Sequence, residues 1–193
     1  MRLAPIERPQ GWLLKTAYRM SRRRLGKAVT PLKVVYARSP AALKVSLAIS
    51  KYLQKGVRLD RELVYLIESY VARMNGCGFC VDIAQSFAMR EGVDLAKVHD
   101  VDNYRLDPRF TPRDRAALAY VEMVTRHRHA DDDTFAALKE PFTDTEIGVI
   151  TLINASENYY NLINAPLGIE SDGLCALVPR QARAKPAAAA ASK

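Results

Sequence analysis

Cys77 and Cys80 stand three residues apart in "NGCGFC", within a chain of 193 residues that has one other cysteine, Cys175. Residues three apart at the start of a helix lie on the same side, so two thiols there can close a disulfide. A helix N-terminus carries partial positive charge and free N–H groups, and both favour a thiolate. A thiolate attacks a peroxide or a disulfide, and the neighbouring thiol resolves the product. Gly76 and Gly78 keep the turn open to close approach, and Phe79 shields the pair on one side. Two other readings stay open beside the redox one. A structural zinc needs about four ligands, and the chain offers no second Cys-x-x-Cys; His127 and His129, two apart in "HRH", are expected on different sides of their helix. Two buried, inert cysteines are the third reading. No metal and no organic cofactor is implied.

The elements that must hold this pair are helical. Apolar residues recur every three to four positions over long stretches, and no segment alternates as a strand would. "GWLLKTAYRMSRRRLGK" reads as a basic amphipathic helix ending near Gly26, and "SPAALKVSLAISKYLQKG" as a helix capped by Ser39 and stopped at Gly56. From Asp60 to about Met74, the residues Leu63, Leu66, Ile67, Tyr70, Val71 and Met74 repeat at helical spacing. A turn at "NGCGFC" leads into a helix from about Cys80 to Glu91, and 98–110 reads as a loop with short turns. Thr111 with Asp114, and Thr143 with Glu146, are capping signals. They open one helix at "PRDRAALAYVEMVTRH" and another running to about Asn164, with a short capped helix at "DDDTFAALKEPF" between them. The reading is an all-α chain. It has a basic N-terminal helical arm over 1–57, a core over 58–176 and a disordered basic tail over 177–193.

Charge is divided along the chain. The whole carries 29 Lys/Arg against 21 Asp/Glu, a net +8, yet residues 1–59 hold 14 bases and a single acid, Glu7. An acidic body thus meets a basic arm, which predicts attraction between them within or between subunits. Trp12 and the Arg22–Arg24 run could instead rest on an anionic membrane surface; nucleic acid is not an expected partner. No stretch has a secretory h-region or the roughly 18–20 apolar residues of a membrane span. Three cysteines without a leader point to a reducing cytoplasm.

"LVYLIESYVARMNGCGFCVDIAQSFAMREGVD", "FTPRDRAALAYVEMVT", "FTDTEIGVITLINASENYYNLINAPLGI" and "ESDGLC" together resemble the alkylhydroperoxidase D / carboxymuconolactone decarboxylase superfamily. The resemblance covers about residues 58–175. It implies an alkylhydroperoxidase D-like helical domain, with the Cys-x-x-Cys at the start of a core helix. It also implies a homo-oligomer, often a trimer or hexamer. In members with peroxidase activity the second cysteine attacks the peroxide, and a Glu and a His relay protons to it. Carried over, Cys80 is the attacking thiolate and Cys77 the resolving thiol. The Glu position, twelve before Cys77, is Tyr65; the His position, four after Cys80, is Ala84. The thiol pair is kept and both relay residues are gone. Carboxymuconolactone decarboxylation is a weaker fit, because members with that activity need not carry the pair.

Other groups could replace the relay. Glu68, nine before Cys77, lies three residues after Tyr65 and so shares its side of the helix, about one turn nearer the cysteines. Asp82 sits in the first turn of its helix, where an acid is favoured for capping alone. Glu157 and Asn158 are polar residues in an otherwise apolar helix; they face the thiol pocket or bond across helices. Tyr65, a phenol with an ordinary pKa of about 10, is a poor base and a better core residue. His99 reads as an exposed loop residue and Cys175 as a packed thiol. The expected function is thiol-dependent reduction of a peroxide or disulfide through Cys80, Cys77 and Glu68, with electrons from a dithiol protein or small thiol. The alternative is a catalytically weak or inactive oligomeric binding module of the same fold.

Overall fold

The computed structural model describes residues 1–178; the tail expected to be disordered lies, from 179 on, outside the described residues. Nine α-helices and no strand occur among the described residues: α1 (Trp12–Leu25), α2 (Pro40–Lys51), α3 (Arg61–Met74), α4 (Gly78–Glu91), α5 (Leu95–His99), α6 (Pro112–His127), α7 (Asp132–Lys139), α8 (Asp144–Asn164) and α9 (Leu174–Leu177). The all-α reading therefore holds. No helix among the described residues is long and apolar enough to cross a membrane.

Helix α3 is the centre of the body. Nine of its fourteen residues are buried, from Leu63 to Ala72, which is too many for a one-sided surface helix. It packs against α4, α6 and α8. Asp60 caps it through the Glu62 N–H. At its far end Gly76 takes φ +63°, in the left-handed region that glycine adopts without penalty. This lets the Cys77 N–H turn back to the Ala72 carbonyl at 2.9 Å before α4 begins. Both expected capping boxes form: Thr111 with Asp114 on α6, and Thr143 with Glu146 on α8. Each such cap is worth about 1 kcal/mol.

Several local expectations are corrected. Ser39 makes no side-chain cap; the helical run it precedes does end at Gly56 as expected, but its last five residues, Tyr52–Gly56, form a π-helical turn. A second π-helical turn, Leu32–Tyr36, had no sequence signal. Part of 98–110 is helical, and His99, though exposed, closes α5. Arg128 takes φ +67° after α6, which folds the chain back and brings the His127 and His129 rings to 6.3 Å instead of opposite sides.

The arm is packed down. Lys27 pairs with Asp172 at 2.9 Å, and Thr30 donates to the Asp172 carboxylate through both its N–H and its hydroxyl. Most of the contact is apolar, however. Leu25 and Val34 are buried with Ala72, Phe79, Cys80, Ile169 and Leu174. Burying each of Leu25, Val34, Ile169 and Leu174 contributes about 1.5–3 kcal/mol.

Candidate active site

Helix α4 begins one residue after Cys77, earlier than expected. Cys77 is its N-cap residue, and its Sγ accepts the Cys80 N–H at 3.3 Å. The two sulfurs are joined as a disulfide, with 5.3 Å between the Cα atoms. They are not equivalent. Cys77 is fully enclosed, whereas Cys80, at 2% exposure, lines a cavity of about 280 Å³ between the arm and helices α3, α4 and α8. Phe79 and Ala84 are on the same wall. The methyl of Ala84 thus forms apolar lining where the resembling family has its histidine.

Glu68 and Glu157 both line this cavity. Glu68 is half-buried, its remaining exposure turned to the cavity. Burial, and then the nearby Glu157 charge, push its pKa up to about 8, with Arg61 acting against them. Glu157 is pushed up to about 7 by burial, against a hydrogen bond from Asn161 Nδ2 at 2.6 Å. Two carboxyl groups that both hold protons near neutrality are a local reservoir able to take or give a proton. Tyr65 is buried in the same wall; its hydroxyl accepts from Arg61 Nη2 at 2.7 Å, and burial raises its pKa. It is a neutral donor, not a base.

The two alternatives held for Glu157 and Asn158 divide between them. Glu157 faces the cavity. Asn158 bonds across helices: its Oδ1 accepts from Asn75 Nδ2 at 3.0 Å, and its Nδ2 reaches Thr125 and Asn154. Asn75 also donates to Asn161 at 2.8 Å, so the residue before the Gly76 turn is tied to α8 from two positions. Asp82 lies one residue beyond the first turn of α4. Its carboxylate accepts N–H groups from Asp172, Leu174 and Cys175 at 2.9–3.2 Å, and so it caps the start of α9, not its own helix. Cys175 is half-buried, its N–H and Sγ both directed at Asp82. His99 stands beside Gln85, at 3.2 Å, away from the cavity lining.

Sequence reasoning missed Asn164, whose Nδ2 donates to Cys80 Sγ at 3.5 Å. A signal existed. Asn154, Asn158, Asn161 and Asn164 recur at helical spacing along the otherwise apolar α8, which marks a buried polar stripe. The arm's share of the cavity wall, including Leu25, Leu32 and Leu43, carried no sequence signal. Among the described residues no group of three or more His, Cys, Asp or Glu side chains is placed to hold a metal.

No protein-family model matches the chain. It is 30% identical to a solved structure of a protein of unknown function from Agrobacterium tumefaciens, proposed as an AhpD antioxidant-defence protein; the match covers 72% of this chain and 96% of that one, with a TM-score of 0.67. It is 27% identical over 172 residues to the uncharacterized Escherichia coli protein YnjA, covering 88% of this chain and 90% of YnjA. The structure of the debrominase Bmp8 is alike in fold, with a TM-score of 0.77 at 19% identity, over 93% of this chain and 97% of that one.

Proposed function

The chain belongs to the alkylhydroperoxidase D-like superfamily, and within it we propose a thiol-dependent oxidoreductase that reduces a peroxide or a disulfide through Cys80 and Cys77. The observation that carries this reading is the asymmetry of the pair: one sulfur lines a cavity that also holds the carboxyl groups of Glu68 and Glu157, and the other is fully enclosed.

In the reduced protein, Glu68 in its ionised form takes the Cys80 thiol proton. The Cys80 thiolate, favoured by the start of α4 and by the Asn164 amide, attacks the terminal oxygen of a hydroperoxide. The O–O bond breaks, its electron pair leaves on the alkoxide, and Glu68 or Glu157 returns a proton to make the alcohol. Cys80 is then a sulfenic acid. The Cys77 thiol attacks its sulfur, hydroxide leaves with the proton that Cys77 gives up, and water and the Cys77–Cys80 disulfide are the products. A dithiol protein or small thiol restores the pair by exchange. With a disulfide substrate, Cys80 attacks one sulfur, the S–S bond breaks and the first thiolate leaves; Cys77 then attacks Cys80 in the mixed disulfide and displaces the second thiolate.

Stopped-flow oxidation of the reduced protein by tert-butyl hydroperoxide tests the reading, with Cys80→Ser and Cys77→Ser as controls. The expected result is disulfide formation far faster than free cysteine reacts, no reaction in Cys80→Ser, and a trapped sulfenic acid in Cys77→Ser. A wild-type rate no greater than that of free cysteine would sink the peroxidase reading and favour an inactive binding module.

A further inference from the structure

Charge on the arm is left over after folding. Among its bases, Lys27 and Lys33 have acid partners among the described residues, Asp172 at 2.9 Å and Glu7 at 3.0 Å. Every other base of the arm is exposed. The first of these ion pairs joins arm to body; the second lies within the arm. The body's acids are drawn on from within the body: Glu91 pairs with Arg61, Asp102 with Arg73, Glu122 with Arg105 and Arg126, and Glu146 with Arg113. Folding therefore seats the arm through its apolar side chains and leaves its positive charge to face outward.

Helix α1 gathers that charge on one side. Leu14, Tyr18 and Leu25 are buried against the protein. On the opposite side Trp12, Lys15, Arg19 and Arg23 recur at three- and four-residue spacing and form one exposed stripe. Trp12 is 79% exposed, and Met20, flanking the stripe, is 53% exposed. The opening of the cavity lies beside the stripe, because Met20 and, on α2, Leu47 both line the cavity and are both exposed.

Cations with an indole among them fit a surface of dense negative charge that has an apolar layer just beneath it. Lys and Arg are attracted to an anionic leaflet, and tryptophan settles at the boundary between headgroups and acyl chains. A duplex nucleic-acid backbone uses the cations and leaves the indole in water. A second copy of the chain offers a body whose acids named above are already paired. We propose that α1 docks this protein on an anionic lipid bilayer through Trp12, Lys15, Arg19 and Arg23, with the opening of the cavity at the lipid boundary. The apolar side of α1 stays on the protein, so the helix rests among the headgroups and does not sink into the acyl chains. Docking goes beyond the redox function and does not depend on it.

Trp12 is the only tryptophan in the chain, so the full-length protein reports its own docking. The probes are phosphatidylcholine vesicles with and without phosphatidylglycerol, at low salt, each also made with brominated acyl chains. With phosphatidylglycerol present, Trp12 emission is expected to shift to the blue and to be quenched by the brominated chains. Phosphatidylcholine alone is expected to leave it unchanged. Arg19→Gln with Arg23→Gln is expected to weaken binding about 30-fold, about fivefold for each charge. Arg126→Gln with Lys139→Gln removes the same charge from the body and is expected to weaken it less than about twofold. No spectral change with phosphatidylglycerol, equal binding to phosphatidylcholine alone, or equal losses in the two double variants each overturns the proposal. Binding without quenching by brominated chains also overturns it, because another surface then meets the lipid. Trp12 emission that is blue-shifted without lipid and moves to the red on dilution gives the stripe to a second copy and overturns it. Retention on duplex DNA at a salt concentration that strips the vesicles gives it to nucleic acid, with the same consequence.

Discussion

Glu62 and Glu68 lie on the same helix, less than two turns apart, in opposite surroundings. Glu62 accepts from the Lys97 ammonium, which also donates to Asp114 at 2.8 Å; Lys97 itself is buried, over the Phe110 ring. Burial works against the Lys97 charge, but its hydrogen bonds to Asp114 and Glu62 outweigh it and its pKa rises. Glu122 is a similar case: burial would raise it, yet hydrogen bonds from Tyr104 and Arg105 hold it below the usual range. Glu68 has no ion pair among the described residues, and faces a second carboxyl, Glu157, across an apolar cavity. Burial alone therefore does not set the state of an acid here. A paired acid stays charged and holds helices together; an unpaired one keeps its proton and has it available for chemistry.

Removing the cation from the paired side should have the largest effect. Lys97→Met leaves Glu62 and Asp114 facing each other without their partner and is expected to cost about 3–5 kcal/mol of stability, read as a lower urea midpoint, with the oxidation rate of the folded protein unchanged. A midpoint like that of wild type would remove the contrast.

On the unpaired side the expected effect is on rate. Glu68→Gln should slow Cys80 oxidation by about 10²-fold without lowering stability at pH 8. A variant that oxidises at the wild-type rate means that Glu68 does not take the thiol proton.

The same contrast has a pH signature. Glu68 and Glu157 have folded pKa values of about 8 and about 7, above their ordinary 4.5, so between these limits the folded chain holds protons that the unfolded chain has lost. Their contribution therefore makes stability fall as pH rises from about 4.5 through about 7 and about 8. The slope is at most about 1.4 kcal/mol per pH unit for each carboxyl. Denaturation of the Glu68→Gln, Glu157→Gln double variant should show that fall flattened. An unchanged slope would assign it to other groups.

The smallest expected change is in Glu157→Gln. Removing the charge that raises Glu68 should move the midpoint of the pH–rate profile down by a few tenths to about one unit. A midpoint that stays in place means the two carboxyl groups are not coupled.

Much of the fold was legible in the sequence because its signals are local. Thr111 with Asp114 and Thr143 with Glu146 cap the helices they open, since a cap needs only the next three residues. Cys77 and Cys80 meet because three residues at a helix start bring them together. Asp82 shows where local reasoning fails. Its position suggests a cap for its own helix, and its oxygens instead satisfy N–H groups some ninety residues away. His127 and His129 fail for a smaller reason, one left-handed residue at Arg128.

The succession of helices, the two capping boxes and a thiol pair at a helix start can be read from the chain alone, because each depends on residues within a few positions of one another. Packing is needed to place Cys80 and not Cys77 on the cavity, to bring Glu68 and Glu157 to it together, to set Asn164 against the sulfur and to lay the arm along its wall. The reason is physical. Exposure, proton affinity and enclosure depend on what surrounds a side chain in space, and around Cys80 those surroundings include Asn164, eighty-four positions away.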